Sequence, residues 1–86
     1  MGKVIKIAEA NPKLSDFEMF WAIYPKRRAK LDALKAWNQT VDVRPPIEAI
    51  IAAIDTQEQW PDWQKDGGQY IPYPATWLRQ GSWDDE

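Results

Sequence analysis

The sequence predicts an all-α fold: a small three-helix domain closed by an extended, aromatic- and proline-rich C-terminal wrap. Three observations carry this. Apolar residues recur at i, i+3, i+4 and i+7 in two separate stretches, the spacing of one helical face. Prolines 25, 45, 46, 61, 72 and 74 fall between or beside those stretches, where a helix must stop or start. The 86 residues suffice for one domain, and the six tryptophans among them give so short a chain the bulk for a dense core.

Residues 1–14 read as a flexible or extended N-terminal arm, broken at Asn11-Pro12, and residues 15–86 as the folded module. Ser15 and Glu18 have capping-box spacing, so the first helix begins there. Phe17, Phe20, Trp21 and Tyr24 share one face of it, and Pro25 ends it by pushing Tyr24 out of the helical region. A second helix runs from about Arg28 to Thr40, with Leu31, Leu34, Trp37 and Val41 as its buried stripe and Lys30, Asp32, Lys35 and Asn38 facing water. The third has Pro46 in its first turn, where a missing N–H costs nothing, and Ile47, Ile50, Ile51 and Ile54 on one face. It fades by Trp60, ahead of Pro61.

Beyond it, residues 62–65 form one turn, and Asp66-Gly67-Gly68 reverses the chain. Tyr70-Ile71-Pro72-Tyr73-Pro74 is extended, because residues before proline avoid the α region. Ala75 to Arg79 form a short helix, with Pro74 near its start and Gly81 past its end. Trp77, Leu78 and Trp83 fold back onto the bundle.

Composition excludes several chemistries. The chain has no cysteine and no histidine, which removes disulfides, thiolate nucleophiles, the usual zinc ligands and the commonest acid–base residue near neutral pH. Its serines and threonines have no histidine partner, and its carboxylates show no spaced calcium-loop pattern. We therefore expect a non-enzymatic binding module with no cofactor, no metal and no small-molecule substrate. No apolar run approaches the roughly 20 residues of a membrane span, so we expect a cytoplasmic protein with no membrane partner. Net charge is −2, yet Lys26, Arg27, Arg28, Lys30 and Lys35 face only Asp32 in mid-chain, and Asp84, Asp85 and Glu86 close it. Such a local basic patch can hold phosphate on an acidic chain.

Two stretches carry a family resemblance. One is Phe17-Glu18-Met19-Phe20-Trp21-Ala22-Ile23-Tyr24-Pro25-Lys26-Arg27, followed by Lys30 and by Ala33 to Trp37. The other is Asp66-Gly67-Gly68-Gln69-Tyr70-Ile71-Pro72-Tyr73-Pro74-Ala75-Thr76-Trp77-Leu78, followed by Trp83-Asp84-Asp85-Glu86. Together they resemble the C-terminal module of phage and prophage replisome organisers and helicase loaders, and more loosely the DNA-binding part of the primosomal protein DnaT. Tyr73 stands where that family often carries histidine between the two prolines. The resemblance implies a DNA-replication accessory module in the bacterial host cell that binds single-stranded DNA, a replisome protein such as the replicative helicase, or both.

The candidate residues follow. Phe17, Phe20 and Trp21 read first as core, whereas Tyr24 sits at a helix end beside the basic run. Lys26, Arg27, Arg28 and Lys30 read either as a solvated helix start or as a phosphate site; cations oppose the dipole at a helix N-terminus, which favours an external anion. Tyr70, Tyr73, Trp77 and Trp83 either seal the wrap or form a stacking platform for bases. We take Tyr24, Lys26, Arg27, Arg28, Lys30 and Tyr73 as the DNA-binding set. The rival is a pure protein-interaction module that recruits or inhibits a host replication protein, with Trp60, Trp63, Asp84, Asp85 and Glu86 as its contacts.

Overall fold

The computed structural model describes residues 14–86, so all of the expected arm except Leu14 lies outside the described residues. The described chain is all-α and carries five helices: α1 (Asp16–Ile23), α2 (Lys30–Gln39), α3 (Ile47–Gln57), α4 (Pro61–Gln64) and α5 (Pro74–Arg79). Short 3-10 turns stand at Asp66–Gly68 and Ser82–Asp84. The three expected helices form the body, and the aromatic wrap closes it with α4 and α5.

Helix α1 starts as its cap demands. The Glu18 backbone N–H donates to Ser15 Oγ at 3.1 Å. The Glu18 carboxylate turns away from the box and takes Lys30 Nζ at 3.3 Å. Tyr24 is extended at the helix end, ahead of Pro25. Phe17, Phe20 and Tyr24 are buried as the spacing required, while Trp21 packs at the rim.

Helix α2 departs from expectation. It starts at Lys30, after Ala29 in the left-handed region (φ 55°). Its buried face is Ala33, Ala36, Trp37 and Thr40. Leu31, Leu34 and Val41, expected inside, are exposed at 78%, 39% and 61%. The reason is volume. Trp37, Phe20, Trp77 and Leu78 already fill the space between α2 and α5, so only methyl-sized side chains fit beside Trp37 on the inner face. Arg79 of α5 joins one flank of α2, donating to Gln39 Oε1 at 2.9 Å and to Asp32 Oδ1 at 2.9 Å.

Helix α3 begins one residue after Pro46, whose carbonyl accepts from the Ala49 N–H at 2.9 Å. Ile50 and Ile54 are fully buried, whereas Ile47 and Ile51 are half-buried. Buried Gln57 has both ends of its amide engaged. The Trp77 indole N–H donates to Gln57 Oε1 at 2.8 Å, and Gln57 Nε2 donates to the Ser82 carbonyl at 2.7 Å. One side chain thus joins α3, α5 and the last 3-10 turn.

The wrap is less extended than predicted. Tyr70 and Ile71 continue a series of turns, with the Ile71 N–H donating to the Gly68 carbonyl at 3.1 Å. Tyr73 is extended and hands over to Pro74 in the first turn of α5. Gly81 follows α5 in the left-handed conformation (φ 65°), which its missing Cβ permits. Phe20 is the hub of the core, with ring centroids 5.3 Å from Tyr24, 5.4 Å from Trp37 and 5.9 Å from Trp77.

Candidate nucleic-acid interface

The end of α1 is stapled to the wrap at two points. The Tyr24 hydroxyl donates to the Pro72 carbonyl at 2.7 Å, and Lys26 Nζ donates to the Gln69 carbonyl at 3.3 Å. Tyr24 is completely buried, and burial pushes its phenol well above the ordinary tyrosine range. A ring enclosed this way cannot stack on a base, so Tyr24 leaves the expected DNA-binding set and becomes a core residue that positions Pro72.

Tyr73 and Tyr70 remain on the surface, 53% and 52% exposed. Each carries a lysine ammonium over its ring: Lys26 Nζ lies 5.4 Å from the Tyr73 centroid, and Lys65 Nζ lies 5.2 Å from the Tyr70 centroid. Exposed cation–π pairs of this kind contribute about 0.5–1 kcal/mol each. They also leave an aromatic ring and a cation side by side at the surface. The pairing arises from the turn at Asp66, Gly67 and Gly68, whose φ values of 54°, 66° and 84° reverse the chain and bring Lys65 back to Tyr70. Lys65 also pairs with Asp62 at 3.6 Å. An open groove of about 460 Å³ is lined by Pro25, Glu58, Trp63, Gly67, Gly68 and Ile71 among others.

The basic run divides by role. Arg27 Nη1 donates to the Ala22 carbonyl at 2.7 Å and so satisfies a terminal carbonyl of α1. That supplies a local reason for one cation, where the helix-dipole argument had pointed to an external anion. Lys30 turns to Glu18 and lies 5.6 Å from the Trp21 ring centroid, on the α1–α2 junction. Arg28 is exposed and has no ion pair among the described residues.

The other expected contacts sort similarly. Trp63 is 8% exposed and packs edge-on against Tyr24 with centroids 6.0 Å apart, so it is core and not an exposed contact. Trp60 is half-buried, edge-on to Trp63, and lines a shallow groove with Asp55, Thr56 and Gln59. Asp84, Asp85 and Glu86 are exposed. Trp77 is fully buried and Trp83 half-buried, which makes both part of the seal. Sequence reasoning passed over Lys65; its signal was its position just before a glycine turn with a tyrosine just after it.

Among the described residues, no group of three or more metal-binding side chains gathers, and no helix is long and apolar enough to cross a membrane.

Fold and surface together define a class: a small helical domain whose aromatic wrap seals the core and presents lysine–tyrosine pairs. The chain belongs to the family of Legionella vir region protein LvrA C-terminal domains, whose model matches residues 12–81. That span includes all five helices and both lysine–tyrosine pairs. No curated protein and no solved structure gives a match to the chain.

Proposed function

We propose that this domain is a non-enzymatic DNA-replication accessory module of the phage and prophage kind, and that it holds single-stranded DNA on the face formed by Lys26, Lys65, Tyr70 and Tyr73. The observation that carries the reading is the pair of half-exposed tyrosines, each flanked by a lysine. Single-stranded DNA needs both elements: aromatic faces for bases, worth about 1–3 kcal/mol per stacked base, and cations for the backbone. Arg27 and Arg28, next along the chain from Lys26, extend the basic edge. The resemblance of the wrap sequence to replisome organisers supports the replication context.

The test is anisotropy of a labelled oligothymidine titrated with the full chain at several salt concentrations. Neutralising about four phosphates on a single strand gives a log–log slope near −3. Replacing Lys26 and Lys65 by glutamine should flatten that slope. Absence of binding at low salt would overturn the reading.

A second reading has a narrower observation behind it: half-buried Trp60 at the edge of a shallow groove, the setting of a protein-interaction anchor. Here the domain recruits or inhibits a replisome protein such as the replicative helicase, with the acidic end, Asp84 to Glu86, meeting a basic partner. Helicase captured after nuclease treatment, and lost with Trp60→Ala but retained with Tyr73→Ala, would select this reading.

A further inference from the structure

We propose that the link between Asp66 and Gly67 is a modification site, at which the chain closes a succinimide ring and reopens it as isoaspartate. Asp66 is the one aspartate of the sequence that is followed by glycine. Every other aspartate is followed by a residue whose Cβ crowds the backbone nitrogen that must attack. The fold leaves this link as open as the sequence does. Asp66 and Gly67 are exposed, and beyond the chain neighbours no atom lies within 4 Å of where a Cβ on Gly67 would stand. Asp66 has no ion pair among the described residues, since adjacent Lys65 turns to Asp62 at 3.6 Å. The Gly67 N–H has no backbone acceptor among the described residues, whereas Gly68 donates to the Lys65 carbonyl at 3.1 Å and Gln69 to the Asp66 carbonyl at 3.3 Å. Turning the peptide plane between Asp66 and Gly67 towards the side chain therefore gives up one hydrogen bond, the longer one from Gln69. Asp66 also sits at φ 54°, a region that any residue with a Cβ occupies at a cost, so the turn has little hold on it.

The chemistry needs only water. The Gly67 nitrogen bonds to Cγ of the protonated Asp66 carboxyl and gives up its hydrogen, and the carboxyl's hydroxyl leaves with that hydrogen as water. Water then reopens the ring. Attack at Cγ restores aspartate. Attack at the Asp66 backbone carbonyl carbon frees that group as a carboxylate and leaves the main chain running through Cγ. Mass and charge are unchanged, but the turn is one methylene longer, and the carbonyl that accepts from Gln69 has left the main chain. Lys65 and Tyr70 flank this turn, so their pairing at 5.2 Å depends on its length. A loss of single-stranded DNA binding as the chain ages rests on the function proposed above; the modification itself does not.

The test is to incubate the full chain in warm neutral buffer, folded and in urea, and to map its peptides by mass spectrometry with electron-transfer fragmentation, which separates isoaspartate from aspartate at equal mass. The expected result is isoaspartate at residue 66 of the folded chain, formed within about tenfold of the rate in urea, because the fold opposes the reaction with one net hydrogen bond. A species lighter by one water, with the loss mapped to Asp66 and Gly67, should accompany it. D66E keeps the charge but must close a larger ring, and it should abolish both products. Isoaspartate confined to the urea-unfolded chain overturns the proposal, because the turn then shields the link. Isoaspartate spread equally over the other aspartates, or a residue 66 that stays intact in both states, overturns it as well. No readout here involves DNA, so a failure is distinct from a failure of the oligothymidine titration.

Discussion

The aromatic residues of α1 and those of the wrap have similar chemistry and opposite fates. Phe17, Phe20 and Tyr24 are sealed inside, whereas Tyr70 and Tyr73 stand half in water. Tyr24 and Tyr73 make the contrast sharpest. Both precede a proline, and both are extended at the edge of a helix. Tyr24 ends a helical face whose spacing has already committed Phe17 and Phe20 to the core, so its ring follows them inward and its hydroxyl finds a carbonyl. Tyr73 precedes a helix whose own residues, Pro74, Ala75, Trp77 and Leu78, occupy the core instead. The lesson is that a ring's fate is set by whether its neighbours at helical spacing lie before it or after it.

The comparison breaks most easily at the hub. Phe20→Ala should destabilise the domain by about 3–5 kcal/mol in denaturant unfolding, enough to threaten a fold of this size. Next comes Gln57→Leu, which leaves the Trp77 indole N–H and the Ser82 carbonyl without their partners and should cost about 1–3 kcal/mol for each buried group left unpaired. Tyr24→Phe keeps the ring and removes only the hydroxyl bond to Pro72, for a loss of about 0.5–1.5 kcal/mol.

A smaller effect is visible only through pH. The Arg79 hydrogen bond holds the Asp32 carboxyl below the usual carboxylate range. The associated stability is present above the unfolded value of about 3.9 and is lost as pH falls through the lowered folded value. Asp32→Asn should therefore be less stable than the parent at neutral pH, with the difference vanishing in strong acid. Both side chains are about half-exposed, so the effect is modest. Last, Tyr73→Ala should cost only the worth of its pair with Lys26, about 0.5–1 kcal/mol of stability, while weakening oligothymidine binding by about 1–3 kcal/mol. A large stability loss there would erase the contrast with Tyr24.

The helix positions were legible because caps and prolines are local signals: Ser15, Pro25, Pro46, Pro61, Pro74 and Gly81 act on their own neighbours. Which face of α2 turns inward was not legible. Its pattern offered two stripes, one leucine-rich and one of alanines beside Trp37, and the choice was made by the bulk of Trp77 and Leu78 some 40 residues later. The site was half legible for the same reason. Tyr73 and Lys26 stand out in the sequence, but their proximity depends on the Lys26–Gln69 and Tyr24–Pro72 links, which span distant residues. Gln57 gave no sign of burial, because a glutamine on a helix reads as polar surface until an indole N–H needs an acceptor.

The position of Trp77 also bears on how the protein is made. Fully buried beside Phe20, it is the plug of the core, and it comes well after α3 in the order of the chain. While the polypeptide emerges from a ribosome, α1, α2 and α3 are synthesised first and wait with an open apolar hollow where that indole belongs. Chain growth at roughly 5–20 residues per second makes this a wait of seconds. A product ended early by proteolysis or a premature stop codon would keep its first three helices, lose its plug, and present that hollow to chaperones and proteases.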